Sequence, residues 1–171
     1  MNYIIFGGSG FIGTHLIKLL KQECVKAGDK IYDLDIVMPG EEGVVPGVVE
    51  KIEGVEYVRL DVRKEIELNF QPTSNDIIFN LAAVHRTPGH PDYAYFETNI
   101  LGAENVTAFA EKYNINKILF TSSIAPYGAA EKLKTEATIP TPNTPYGISK
   151  LTAEKIHMIW QAEDDTRELT I

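Results

Sequence analysis

The chain has 171 residues, 44% hydrophobic and 23% charged, an ordinary globular composition with enough length for one domain and a real core. A net charge of −8 and a pI near 5.0 argue against a nucleic-acid partner, which selects a basic face. Cys24 stands alone, so neither an internal disulfide nor a cysteine metal cage can form; with no basic leader and no bilayer-length apolar run, the expectation is a cytoplasmic protein without metal or membrane partner.

"NYIIF" (2–6) predicts a strand, and the amphipathic stretch from Phe11 to Cys24 predicts a helix. Cys24 reads as a small hydrophobe on that helix and His15 as a surface or packing residue. "KIYDLDI" (30–36) predicts the second strand. Between the first strand and the helix lies "GGSGFIG", with Gly7, Gly10 and Gly13 spaced G-x-x-G-x-x-G. In that setting Gly7 permits a tight turn, Gly10 lets the backbone approach a diphosphate, and Gly13 allows close packing of helix on sheet. The helix N-terminus adds amides and the positive end of a dipole, so Phe11 and Ile12 join the glycines as candidate cofactor contacts. About 20 residues on, Asp35 ends the second strand, where a carboxylate would bind both hydroxyls of an adenosine ribose; Asp33, two residues earlier, is the weaker candidate. An acid there, with no arginine following closely, favours NAD over NADP, whose extra phosphate it would repel.

Past a Pro/Gly/Val-rich loop, "VEYVRLD" (55–61) predicts a third strand. "DIIFNLA" (76–82) follows an expected short polar helix, and "KILFTSS" (117–123) follows a long helical segment whose apolar positions include Ile100, Leu101, Val106 and Phe109. "ELTI" (168–171) predicts the start of another buried strand, and the expectation is a truncated chain that lacks a C-terminal substrate domain. Strands alternating with helices through right-handed crossovers predict an α/β doubly wound parallel sheet, a Rossmann fold over residues 1–171. Near the end, "TPYGISK" (144–150) predicts a helix capped by Thr144, with Pro145 in the first turn. Tyr146 and Lys150 then share one face a turn apart, where an ammonium favours a neighbouring phenolate.

Taken in order, "GGSGFIG", Asp35, "LDV" (60–62), "NLAA" (80–83), "TNILGAENV" (98–106), "FTSSIAPYG" (120–128) and "PYGISK" (145–150) resemble the extended short-chain dehydrogenase/reductase family, in particular its nucleotide-sugar epimerases and dehydratases. The resemblance implies that Tyr146 is the catalytic acid/base and that Lys150 binds the nicotinamide-ribose hydroxyls and favours the phenolate. It implies that Ser123 hydrogen-bonds the reacting oxygen, with Ser122 as the alternative and a cofactor neighbour. Asp61 and Val62 correspond to residues flanking the adenine, and Leu81, Ala82 and Ala83 to backbone contacts along the cofactor. Asn99 matches an asparagine near the active-site wall and counts among the cofactor residues. His85 and Arg86, just past "NLAA", read as a solvated loop pair.

This chain also departs from the pattern. Dehydratases of the family place an Asp-Glu pair after the catalytic hydroxyl, where Ile124 and Ala125 stand; Pro126 replaces a branched aliphatic, and Asn80 replaces a common histidine. The loop 84–97 is rich in Pro, His and Tyr. The implied function is an NAD-dependent nucleotide-sugar epimerase: NAD takes a hydride from a sugar carbon, Tyr146 takes the hydroxyl proton, and return of the hydride to the other face of the transient keto sugar inverts the centre. A dehydrogenase, reductase or dehydratase of the same family and a non-catalytic dinucleotide sensor are the alternatives. The resemblance also implies a homodimer built on the helices that begin near Asn99 and Tyr146.

Overall fold

The computed structural model describes residues 1–41, 51–85, 89–129 and 133–171. β1 (Asn2–Phe6), β2 (Lys30–Asp35), β3 (Val55–Arg59), β4 (Ile77–Asn80), β5 (Lys117–Phe120) and β6 (Glu168–Thr170) form one parallel sheet in the order β3-β2-β1-β4-β5-β6. Alternation along the central strand explains its apolar run, since Ile4 and Phe6 enter one core while Tyr3 and Ile5 enter the other. On the second face, α1 (Phe11–Glu23) contributes Ile17 and Leu20. On the first, α3 (Leu101–Lys112) brings Val106 and Phe109, and α4 (Pro145–Ala162) brings Trp160. The connection from β1 runs to one side of the sheet and that from β4 to the other, so a crevice opens between their C-terminal ends, where open α/β sheets hold ligands.

The strands stop short of the runs that predicted them. Leu60 and Asp61 lie beyond β3, Leu81 and Ala82 beyond β4, and Thr121 to Ser123 beyond β5. Those residues leave the sheet at its C-terminal edge, and all but Ser123 line the crevice. Four expectations need correction. The short polar helix before β4 is absent: residues 60–76 run as turns and irregular backbone, with Val62 and Ile66 buried and Phe70 stacked 3.7 Å from the Tyr32 ring. Pro72 and the turn in which Asp76 accepts the Thr73 N–H at 2.9 Å leave no room for helical hydrogen bonding. The long helical segment is instead α2 (Asp92–Tyr95), a wide π turn (Phe96–Ile100) and α3; the wide turn shifts the helical phase, and Leu101 is exposed while Val106 and Phe109 are buried. β6 is a strand but lies at the sheet edge with Glu168 and Thr170 exposed. Cys24 is exposed at the C-cap of α1 rather than packed.

His15 is exposed with its ring 4.7 Å from that of Phe11. Much of the loop before β3 (42–50) and Arg86 lie outside the described residues.

Candidate functional site

The glycine loop makes one wall of the crevice. Gly7 has φ +78°, and a Cβ there would meet the Ala82 backbone nitrogen at 2.6 Å, so only glycine fits beside the end of β4. Gly13 packs as tightly, since a Cβ would lie 2.3 Å from the Gly8 carbonyl oxygen. Above Gly10 the space is open, the nearest atom to such a Cβ being the Gly7 carbonyl oxygen at 3.8 Å. The three glycines thus divide as expected: turn, open approach, close packing. The Leu81 N–H donates to the Phe6 carbonyl at 2.8 Å and the Gly7 N–H to the Leu34 carbonyl at 2.9 Å, tying the loop to both neighbouring strands.

One cavity of about 440 Å³ runs from this loop across β2 and the turn after β3; Gly7, Gly10, Asp35, Asp61, Val62, Leu81, Ala82 and Ala83 all line it. Asp35 accepts the Val37 N–H at 3.0 Å on one oxygen and the Ser9 N–H at 3.1 Å on the other, which leaves lone pairs for hydroxyl donors. Burial raises its pKa, against the backbone hydrogen bonds that favour the anion. Asp61 forms a two-pronged ion pair with the Arg63 guanidinium, which holds its carboxyl below the usual range. Arg63 also lines this cavity, and no short-range signal after Asp35 pointed to it because it arrives in the turn after the next strand.

A second cavity, about 410 Å³, adjoins the first through Gly7, Gly10, Leu81 and Ala83. Phe11, Ile12, Gly13, Ser122, Tyr146 and Lys150 line it, so the tyrosine–lysine pair faces the glycine loop across one crevice. Thr144 accepts the Gly147 N–H at 3.1 Å and starts α4 where the sequence predicts it. Lys150 is almost fully buried; its Nζ donates to the Thr121 carbonyl at 2.6 Å and lies 4.1 Å above the Phe120 ring. Burial lowers its pKa to about 8, while the Glu154 carboxylate one turn along opposes that shift. The Tyr146 ring is flanked by His85 at 5.9 Å and Tyr95 at 6.0 Å between centroids.

Two candidates sit elsewhere. Ser123 lines neither cavity, and its Oγ accepts the Ala125 N–H at 3.2 Å; Ser122 lines the second cavity and donates to Glu154. Asn99 is buried behind the wall rather than on it: its Oδ1 accepts the Val84 N–H at 2.8 Å and its Nδ2 donates to the Ser149 hydroxyl at 2.9 Å. It fixes the loop after β4 against α4, and the expectation of direct cofactor contact is corrected accordingly. His85, expected as a solvated loop residue, is exposed but lines the tyrosine cavity. Thr121, Glu154 and Ser9 also belong to the site, through tertiary contacts that local spacing does not reveal.

The fold and crevice define a dinucleotide-binding α/β domain with a tyrosine–lysine pair at its switch point. The chain belongs to the NAD-dependent epimerase/dehydratase family, whose model matches residues 3–170. It is 32% identical over 171 residues to an N-acetyl-alpha-D-glucosaminyl-diphospho-ditrans,octacis-undecaprenol 4-epimerase of Escherichia coli O157:H7, covering 99% of this chain and 47% of that protein. A UDP-glucose 4-epimerase of Halalkalibacterium halodurans is 27% identical over 162 residues, covering 91% of this chain and 45% of that one. Among solved structures, a UDP-galactose 4-epimerase superposes with a TM-score of 0.81 at 22% identity, over 98% of this chain and 54% of that chain, which supports the fold. MoeE5 in complex with UDP-glucose and NAD gives 0.72 at 25% identity, over 99% and 52%. The chain spans about half the length of the curated relatives it matches.

Proposed function

We propose that this chain is the NAD-binding part of a nucleotide-sugar 4-epimerase, with Tyr146 as acid/base. The observation that carries the reading is the crevice itself: the glycine loop and Asp35 at one end, Tyr146 and Lys150 at the other, joined through shared lining residues. The residues fit NAD. The open space above Gly10 and the N-terminus of α1 suit a diphosphate, and Asp35 suits a ribose diol and disfavours a 2′-phosphate. When bound, NAD⁺ supplies the hydride acceptor that side chains lack.

The chain's own residues do the rest. Tyr146 takes the proton from the sugar hydroxyl as the carbonyl forms and returns it when the opposite face is reduced, a transfer worth about 10²–10⁴-fold. Lys150, fixed by Thr121 and Phe120, presents a cation to the ribose hydroxyls and to the phenolate. Ser123, by correspondence with the family, would give up its local bond to Ala125 and donate to the developing oxyanion. Ile124 and Ala125 supply no carboxylate for expelling water, which favours epimerisation over dehydration. The substrates named for the relatives support a nucleotide sugar or a polyprenyl-diphospho-sugar. A homodimer through α3 and α4 would cover the exposed Leu101, Ile148 and Ile159.

The test uses the complete protein with NAD⁺ and a panel of these sugars, reading the C4 epimer by NMR. Wild type should equilibrate the two epimers without net NADH, and Tyr146→Phe should lose at least about a hundredfold in kcat. Net NADH accumulation would point to a dehydrogenase, and unchanged activity in Tyr146→Phe would remove the proposed acid/base.

A further inference from the structure

Beneath the phosphate loop lies a carboxyl group that the proposed chemistry does not use. Asp33 on β2 is fully buried, and its Oδ2 accepts the Ser9 hydroxyl hydrogen at 2.9 Å. Among the described residues, its Oδ1 has no hydrogen-bond partner. The loop is built around that oxygen: a Cβ on Gly8 would lie 2.4 Å from it, so only glycine passes over it. Among the described residues, no cation acts on the carboxyl. β2 offers Asp35, β1 sets Ile5 in register beside it, and β3 sets Tyr57 there. The α1 bases Lys18 and Lys21 and the imidazole of His15 are exposed on the outer side of that helix. Burial first, and then the Asp35 charge, raise the Asp33 pKa to about 7, while Ser9 and the nearby Gly8 N–H oppose the shift. The Gly8 N–H favours the anion without making a hydrogen bond to Oδ1.

Ser9 connects this group to the crevice, because it lines the cavity that also holds Asp35. An ionised Asp33 only accepts, so it keeps the Ser9 hydroxyl hydrogen turned inward. A protonated Asp33 can donate to the Ser9 Oγ, and the hydroxyl hydrogen is then released toward the crevice.

We propose that Asp33 is a positioning residue of the cofactor loop: it takes up one proton from solvent when the anionic dinucleotide binds, and through Ser9 converts that proton into a hydrogen-bond donor facing the ligand. The inference rests on the NAD reading above. The balance is one proton gained by the carboxyl and one hydroxyl hydrogen redirected, with no other bond made or broken. Its sign is fixed: binding an anion favours the neutral carboxyl, so affinity is highest at low pH and falls as pH rises through the pKa of the free protein. The fall is about tenfold for each unit by which binding raises that pKa.

Calorimetric titration of the protein with NAD⁺ in phosphate and in Tris buffer, from about pH 6 to about pH 8, separates binding heat from proton uptake. Wild type should take up a proton near neutral pH and bind about tenfold more weakly at the upper end. Asp33→Asn carries a permanent amide donor toward Ser9; it should lose the proton uptake near pH 7 and the fall in affinity that accompanies it, leaving only the weaker dependence that Lys150 contributes near pH 8. Ser9→Ala, checked for an unchanged unfolding temperature, should bind NAD⁺ more weakly at low pH and show a smaller pH dependence than wild type, because the Asp33 charge still faces the bound anion but no hydroxyl donor remains to be redirected. NAD⁺ binding without proton uptake in wild type, or the same uptake in Asp33→Asn, would overturn the inference and leave the cofactor reading standing. No binding at any pH would overturn both.

Discussion

Lys150 meets the crevice as an ammonium held largely out of water, and its contacts are a carbonyl and an aromatic face rather than a carboxylate. Its pKa of about 8 lies below the ordinary 10.5, so the neutral amine becomes populated within reach of working pH. The predicted consequence is a catalytic rate of the complete protein that declines as pH rises through about 8, which a pH profile of kcat would read. Asp35 carries a second prediction: Asp35→Ala should weaken NAD⁺ binding by about ten- to a hundredfold, the loss of one or two charge-assisted hydrogen bonds. The places of the glycines, Asp35, Tyr146 and Lys150 around the crevice were legible in the sequence because they follow from local geometry: a turn with positive φ, a strand end, two positions one helical turn apart. Asp33 was legible only as the weaker ribose candidate, and Arg63, His85 and Glu154 were not legible as site residues, since each depends on which strand, loop or helix turn the sheet brings alongside. Asn99 was visible as a site residue, but its task is set by Val84 and Ser149, which lie 15 and 50 residues away.

Elements were legible where one physical rule decided them. Apolar runs located every strand, and Thr144 with Pro145 located the start of α4 because capping is a property of four consecutive residues. Thr144→Ala removes the acceptor for the Gly147 N–H and should cost about 1 kcal/mol in thermal or denaturant unfolding, with Thr144→Ser restoring most of it. The cost should also appear in function, because Tyr146 lies in the turn that this cap organises. Strand ends were less legible, since chemistry alone does not tell a paired residue from one that has just left the sheet. The expected polar helix before β4 failed because tertiary burial of Val62 and Ile66 outweighs local propensity, and the long helical segment before β5 is helical but carries a wide turn that places Thr98 at the crevice and Asn99 behind it.

Across the whole molecule, two buried groups drive stability with pH in opposite directions. Asp33 has a folded pKa of about 7 against an ordinary 3.8, so its contribution is complete below the lower value and is lost as pH rises through the higher. His157 hydrogen-bonds Asn80 at 3.0 Å, and burial followed by the Lys150 charge lowers its pKa from 6.5 to about 4. Its contribution is complete above the higher value and is lost as pH falls through the lower. Over the shared window the two slopes offset. Urea unfolding should therefore give wild type a flat stability profile there, Asp33→Asn a profile rising with pH by up to about 1.4 kcal/mol per unit, and His157→Leu a falling one. Parallel profiles for all three proteins would remove both buried titrations from the account.

The central claim is that the crevice between β1 and β4 is an NAD site read by Asp35. Its most direct test is calorimetric titration of NAD⁺ and of NADP⁺ into the wild-type protein and into Asp35→Ala. The account predicts NAD⁺ binding that is tighter than NADP⁺ binding in wild type, with both the affinity and the preference reduced in Asp35→Ala. Equal binding of the two cofactors, or NAD⁺ affinity unchanged by the substitution, would contradict it.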